Sequence, residues 1–201
     1  MKRNHLLILL MVLLSGFQKG CNSAPDQASA EEPGYRTIPT QIGRDTQLAR
    51  QLTAEAAEAL HANDPSRAEQ LLRDALTADV MHGPAHNNLG QLYYQQQRYY
   101  EAAWEFQYAI RLMPHQPIPR NNLGMVFEAT GQLDQAAEQY ELAVAEEPDN
   151  PELLGNLARA RVRRGDTGPE MRELLQQVVL RDTRPEWREW ARQQIHLIRE
   201  D

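Results

Sequence analysis

The sequence predicts an all-α fold, an α-solenoid of about four helix-turn-helix repeats followed by a C-terminal capping helix. One observation is a motif that recurs: HNNLG at residues 86–90 returns as RNNLG at residues 120–124, after a period of 34 residues. A second is that apolar positions across residues 49–184 recur at spacings of three and four, which is the period of an amphipathic helix. A fixed period of this length is typical of proteins built from stacked structural repeats.

The chain begins with the order of segments found in a secretory signal peptide. Lys2 and Arg3 precede an uncharged apolar run over residues 6–14, and small and polar residues follow up to Gly20. The apolar run is shorter than the ~20 residues that a membrane-spanning helix needs. We therefore predict that residues 1–20 are a signal peptide and that the protein is exported.

Cys21 lies directly after this segment, and the chain has no second thiol with which it could form an intramolecular disulfide. Its position after Gly20 resembles a bacterial lipoprotein signal, in which the cysteine is lipidated and becomes the mature N-terminus. The resemblance implies a stable lipid anchor, and Asn22 implies sorting to the outer membrane, with the chain facing the periplasm. The alternatives are a free surface thiol and ordinary cleavage after the ASA triplet at residues 28–30.

Residues 21–48 are predicted to be a disordered tether. Most of this segment consists of Ala, Ser, Pro, Gly, Gln and acidic residues, with few apolar side chains. A flexible segment of this length spans roughly 30 Å, enough to hold the following domain clear of lipid headgroups. The full chain has a net charge of −7, and removal of the basic leader makes it more negative, so nucleic acid is not an expected partner.

Residues 49–184 divide into four blocks of equal length, 49–82, 83–116, 117–150 and 151–184. Seven positions of the second block recur in the third. They pair Leu89 with Leu123, Gly90 with Gly124, Tyr93 with Phe127, Ala102 with Ala136, Phe106 with Tyr140, Ala109 with Ala143 and Pro114 with Pro148. The outer blocks match less well, as expected for repeats that lack one neighbour.

Each block is predicted to hold two helices joined by a tight turn. Gly131 and Gly165 suit the left-handed residue that ends many helices, Asn63 tolerates that conformation, and Gln97 fits it less well. Small side chains such as Gly90 would let the two helices cross closely, with aromatic rings filling the space beside the contact.

These residues resemble the tetratricopeptide repeat family over residues 49–184. The resemblance implies helix-turn-helix units that stack into a right-handed superhelix, with the first helix of each unit lining a concave surface. It also implies a protein or an extended peptide as the partner. Residues 185–201, with Trp187 and Trp190 on one apolar stripe, resemble the helix that caps the end of such an array.

Three asparagines are the main candidates for binding a partner. Asn88, Asn122 and Asn156 recur at the repeat period and lie outside the packing positions, so stacking would align them along the concave surface. An amide side chain can bond both the C=O and the N–H of an extended peptide. A similar asparagine ladder binds peptide backbones in O-linked N-acetylglucosamine transferases. The alternative is that these amides satisfy local or inter-repeat hydrogen bonds. Asn87 and Asn121 lie one step further round the helix and are expected to be solvent or inter-helix residues.

Two arginines and a tyrosine complete the predicted site. Arg159 and Arg163 share the helix face of Asn156 and could engage a carboxylate with paired N–H donors, although a solvated arginine face is the commoner outcome. Tyr94 is expected to line the groove, with core packing as the alternative.

No motif in the chain predicts an enzyme. A phosphate-cradling glycine loop, a nucleophile elbow and a cysteine pair are all missing from the sequence. His82 and His86 are four residues apart, but Gly83 and Pro84 are predicted to interrupt a common helix, so neither a metal nor a cofactor is expected.

The predicted function is that of a non-enzymatic, membrane-tethered adaptor for a protein partner in the cell envelope. Lipoproteins of this architecture resemble pilotins, which help to assemble secretin or pilus machinery. One alternative is a scaffold that self-associates through the C-terminal tryptophan helix. Another is an accessory subunit that positions an envelope enzyme.

Overall fold

The computed structural model describes residues 44–198, and within that range the chain forms nine α-helices and no strand. The helices are α1 (Thr46–His61), α2 (Pro65–Ala78), α3 (Gly83–Gln95), α4 (Tyr99–Leu112), α5 (Pro117–Ala129), α6 (Leu133–Glu146), α7 (Pro151–Arg164), α8 (Pro169–Arg181) and α9 (Pro185–Leu197). Each helix packs against the next along the chain. The predicted fold class is confirmed. The predicted signal peptide, Cys21 and residues 22–43 of the predicted tether lie outside the described residues.

Four helix pairs coincide with the four predicted blocks. The first helices of the second, third and fourth pairs begin at Gly83, Pro117 and Pro151, which are the first residues of those blocks. Proline opens many of these helices because its missing N–H has no helical partner at the first position anyway. Helix α9 occupies the place of the predicted capping helix and packs against α8.

The predicted end of the tether at residue 48 is wrong. Helix α1 begins at Thr46 rather than at Ala49, and the Asp45 carboxylate caps it by accepting a bond from the Leu48 N–H at 2.9 Å. The Asp45 N–H donates to the carbonyl of Ala78, and Arg44 forms an ion pair with Asp79. These contacts attach the polar residues before α1 to the end of α2. The local amino-acid composition does not indicate them, because the contacting residues are distant in the sequence.

The turns between paired helices place one left-handed residue at the same position of every repeat. These residues are Asn63, Gln97, Gly131 and Gly165, with φ angles of 59°, 61°, 78° and 95°. Gln97 therefore adopts the conformation for which it is poorly suited, because the stacking of α3 on α4 imposes the same turn on every repeat.

Two glycines allow the helices of their repeats to cross closely. A Cβ added to Gly90 would lie 2.8 Å from Cδ1 of Phe106, and one added to Gly124 would lie 2.7 Å from Cε1 of Tyr140. Both rings are fully buried in the core that runs through the stack. The steric role predicted for these glycines is confirmed.

The solenoid curves because the first helices of successive repeats lie closer together than the second helices. The backbones of α1, α3 and α5 each approach the next first helix, and the described second helices show no comparable approach. The first helices consequently form the inner, concave side, as in other curved repeat arrays. Among the described helices, none combines the length and apolar content needed to cross a membrane.

Candidate functional site

A groove on the concave side brings together side chains from three first helices. Its cavity has a volume of about 200 Å³. The lining residues are Gln91, Tyr94 and Gln95 of α3, Asn122 and Met125 of α5, Glu152 of α7, and Phe106 beneath them. Tyr94 is half-buried and packs at an angle against Tyr99, with 5.7 Å between the ring centroids. Tyr94 thus borders this cavity and also packs against the hydrophobic core, so both expected placements apply, and its contact with a partner stays a prediction.

The asparagines form pairs between repeats, which a free row of amides would not do. The Nδ2 of Asn122 donates to Oδ1 of Asn87 at 3.0 Å, and the Nδ2 of Asn156 donates to Oδ1 of Asn121 at 2.8 Å. Each bond joins residues 35 positions apart, one more than the repeat period. Of the two roles expected of Asn87 and Asn121, exposure to solvent or an inter-helix contact, the structure shows the inter-helix contact. Asn122 and Asn156 make inter-repeat hydrogen bonds, which was the alternative to a row of amides that binds a peptide. Asn156 and Asn121 are buried, so the Asn156 amide is largely committed to this contact.

Asn88 and Asn122 retain polar groups that no described residue pairs, and each lines a cavity. Asn88 accepts a bond from Asn87 Nδ2 at 3.3 Å, and within residues 44–198 its own N–H groups make no hydrogen bond. Asn122 donates to Asn87, and its Oδ1 accepts from no described residue. Asn122 lines the groove, whereas Asn88 lines a separate, larger cavity of about 640 Å³, whose walls are mostly apolar and include Pro84, Met113 and Ile118. A backbone segment needs both a donor and an acceptor, and this pair of amides offers them.

Arg159 and Arg163 do engage a carboxylate, but that carboxylate belongs to the protein itself. Glu128 of α5 accepts bonds from Arg159 Nε and Nη2, both at 2.8 Å, and from Arg163 Nη1 at 2.8 Å. The hydroxyl of Tyr140 donates to the same carboxylate at 3.0 Å. The Glu128 side chain is only 7% exposed. The expected paired N–H donors therefore bind a carboxylate that links the third and fourth repeats. Nothing in the sequence indicated that Glu128 would supply this carboxylate.

The protonation states in this cluster follow from its contacts. Burial acts to raise the pKa of Glu128, but the hydrogen bonds from Arg159 and Arg163 outweigh it and lower the pKa below the ordinary glutamate value. Burial and the adjacent Glu128 carboxylate raise the pKa of the Tyr140 hydroxyl, which therefore stays protonated and donates. The cluster thus holds one negative and two positive charges.

The capping helix contacts the fourth repeat through Trp187. Gly155 of α7 leaves room for this ring, because a Cβ there would lie 3.1 Å from Trp187 Cε3. Trp187 and Trp190 meet edge to face with their centroids 5.6 Å apart, and both are half-buried. The tryptophan face therefore has an intramolecular contact, and self-association through α9 stays a prediction.

His82 and His86 differ from expectation in their helical setting. Gly83 and Pro84 open α3 and do not interrupt a helix. His82 is the N-cap residue of α3 but makes no side-chain capping bond, and His86 lies in the first turn. His86 Nδ1 lies 2.7 Å from Glu105 Oε2 and Nε2 lies 2.9 Å from the carbonyl of Val80. Burial acts to lower the pKa of His86, but the bonds to Glu105 and Val80 outweigh it and raise the pKa. Across residues 44–198, no three His, Cys, Asp or Glu side chains are grouped so that they could hold a metal ion.

Comparison with known protein families gives two matches along the chain. Two models described as tetratricopeptide repeat match residues 49–117 and 127–189, and together they span most of the helical region. No curated protein is a significant match to the sequence.

Solved structures of similar fold include three proteins from different settings. PilF of Pseudomonas aeruginosa is 21% identical with a TM-score of 0.67, over 77% of this chain and 70% of PilF. The O-GlcNAc transferase of Thermobaculum terrenum is 24% identical with a TM-score of 0.63, over 69% of this chain, which spans only 27% of the transferase chain. The first repeat domain of Spaghetti (RPAP3), bound to an HSP90 peptide, is 19% identical with a TM-score of 0.60, over 62% of this chain and 99% of that domain. At these identities the likeness establishes the fold.

Proposed function

We propose, from the premise that this chain is a tetratricopeptide-repeat protein, that it is a membrane-tethered adaptor which binds an extended segment of a protein partner in its concave groove. The observation that carries the proposal is the groove itself, in which Tyr94, Met125 and the unpaired Oδ1 of Asn122 converge from α3 and α5, with Asn88 lining a second cavity of the same repeats. Repeat proteins of this family commonly mediate protein–protein interactions, and one structural neighbour was solved with a bound peptide.

The chemistry of the groove favours recognition of a backbone together with apolar side chains. Half-buried Tyr94 and Met125 supply apolar contact area, and the two amides supply hydrogen bonds without selecting a side chain. Of the predicted ladder, Asn88 and Asn122 are the members that would touch the partner. Asn156 and Arg159 would act mainly by holding neighbouring repeats in register.

The adaptor is proposed to be non-catalytic. Arg159 and Glu128, on the helices that flank the groove, are paired with each other and so serve structure. Purified chain is expected to show no hydrolytic or transferase activity, and the appearance of such activity in the isolated chain would overturn this part of the proposal.

A photo-crosslinking experiment in intact cells tests the groove. A photoreactive phenylalanine analogue at Met125 is expected to trap a partner that mass spectrometry identifies, whereas the same analogue at Leu142, exposed on α6, is not. Tyr94→Ala should reduce the yield of that adduct because it removes a wall of the groove. The matched control is Tyr100→Ala, since Tyr100 is 80% exposed on α4 and is not a groove residue. Equal adduct yields in the two variants would rule out binding in the groove.

The proposed tether is an acylated Cys21, with the folded domain on the periplasmic side of the outer membrane. Support comes from the basic and apolar leader and from the position of the cysteine directly after it. Wild-type chain is expected in the membrane fraction with an acylated N-terminal cysteine detectable by mass spectrometry, and Cys21→Ser is expected in the soluble fraction. A mature chain that begins after Ala30, or an unmodified Cys21, would refute lipidation.

A further inference from the structure

We infer that the groove selects a partner segment in which a carboxylate lies close to an apolar side chain, the carboxylate bound by Arg163 and the apolar side chain packed into the cavity beside Trp187 and Trp190. The inference rests on the proposed function, because it assigns the chemistry of the segment that the groove would bind. It adds the fourth repeat and the capping helix to the binding surface.

The first support is an excess of positive charge at the end of the groove. Arg159 and Arg163 share the single carboxylate of Glu128, so the cluster carries one more positive charge than negative. Arg163 donates only from Nη1, and its Nε and Nη2 have no hydrogen-bond partner within residues 44–198. Its side chain is 49% exposed, so these donors reach solvent. Unused guanidinium donors in a fixed plane suit a carboxylate of a ligand.

The second support is a slot formed by the two tryptophans. Trp187 and Trp190 enclose, with Arg159 and Glu186, a cavity of about 240 Å³. This is smaller than the roughly 300–1,000 Å³ of pockets that hold small molecules, and its size suits one side chain. Arg159 borders the slot, with its guanidinium carbon 5.4 Å from the Trp187 ring centroid, and it also contacts Glu128. The carboxylate site and the slot therefore adjoin at Arg159.

The charges around the slot exclude other ligand groups. Glu186 lines the slot and would repel an acidic group placed inside it, so a ligand carboxylate is better placed at Arg163. The guanidinium groups of Arg159 and Arg184 lie 5.4 Å and 4.7 Å from the Trp187 ring centroid. A ligand cation there would meet two cations, so the slot fits an uncharged apolar side chain.

The arginine cluster adjoins the groove of the proposed function, because Glu128, which accepts bonds from Arg159 and Arg163, follows the groove residue Met125 by three positions on α5. Burial is the largest effect that raises the pKa of the Tyr94 hydroxyl, and the charges of Glu128 and Arg159 also act on it. A segment that contacts Tyr94 is thus within electrostatic reach of the cluster.

Selection from a random 12-residue peptide library displayed on phage tests the inference with the purified full-length chain. Peptides selected by the wild type are expected to be enriched in Asp or Glu near an apolar residue. Selection by Arg163→Gln should lose the acidic enrichment. The matched control is Arg161→Gln, because Arg161 lies on the same helix and pairs with Glu141 away from the cluster, and it should keep that enrichment.

Affinities of the selected peptides give the second measurement. In a Trp104→Phe background, Trp187 and Trp190 are the only tryptophans, and a bound apolar side chain should change their fluorescence. Arg163→Gln should weaken binding about tenfold, since hydrogen bonds to charged groups are worth roughly that factor or more. Trp190→Ala should abolish selection for the apolar residue, and circular dichroism checks that each variant is folded.

The outcomes separate the inference from the proposed function. Peptides that depend on Tyr94 but bind Arg163→Gln as well as they bind the wild type would overturn the inference and leave the groove proposal standing. Failure of the folded wild type to select any peptide would overturn both.

Discussion

Replacing Glu128 with glutamine is expected to lower the free energy of unfolding by about 1.5–4 kcal/mol, more than a surface substitution of the same kind. The two bonds from Arg159 are charge-assisted and bidentate, which is worth roughly 1.5–3 kcal/mol. Arg163 is half-exposed, so water replaces much of its contact and it adds about 0–1 kcal/mol. Glutamine keeps the volume and an acceptor for Tyr140, so cavity formation adds little.

Urea unfolding followed by circular dichroism measures this loss. The matched control is Glu141→Gln, which removes an exposed carboxylate that pairs with Arg161 and should cost less than about 1 kcal/mol. The pKa of folded Glu128 lies below its ordinary value, so its contribution is present above the unfolded pKa of about 4.3 and is lost as the pH falls through the folded pKa. The difference in the free energy of unfolding between the wild type and Glu128→Gln should therefore become smaller in acid. Equal effects of Glu128→Gln and Glu141→Gln at neutral pH would refute the bridging role of Glu128.

Three further substitutions test the fold. Gln97→Gly should raise the free energy of unfolding by about 0.5–1 kcal/mol because it relieves a left-handed residue at an exposed turn, and an unchanged urea midpoint would contradict this. Gly124→Ala should lower it by roughly 1–3 kcal/mol because the new Cβ meets the buried Tyr140 ring, and calorimetry should show a lower Tm. The pKa of His86 is raised in the fold, so its bond to Glu105 stabilises below the unfolded pKa of about 6.5 and is lost as the pH rises through the folded pKa. His86→Gln should accordingly cost more stability at pH 6 than at pH 9, and the reverse order would be inconsistent with an imidazolium.

The repeat boundaries could be predicted because their signals are local. Pro117 and Pro151 each occupy the first position of a helix, where proline is favoured. Gly131 and Gly165 follow the ends of these helices and adopt the left-handed conformation that glycine permits. The start of α1 could not be predicted in this way. Its cap at Asp45 is attached to α2 through a backbone bond between distant parts of the chain, and polar composition alone resembles a tether.

The same distinction between local signals and contacts of distant residues applies to the candidate site. Tyr94 could be placed in the groove from helical periodicity, since residues three and four apart share a face. The partners of Asn122, Asn156 and Arg159 could not be identified, because they lie on the neighbouring repeat, 35, 35 and 31 residues earlier in the chain.

The sequence by itself determined the α-solenoid, its period and the close packing of Gly90 and Gly124, because each follows from spacing along a helix or from the size of one side chain. Only the tertiary structure decided which polar groups remain available to a partner. The offset between stacked helices sets whether an asparagine meets another asparagine or solvent, and whether an arginine finds Glu128. That offset arises from the packing of whole repeats, which no short stretch of sequence specifies.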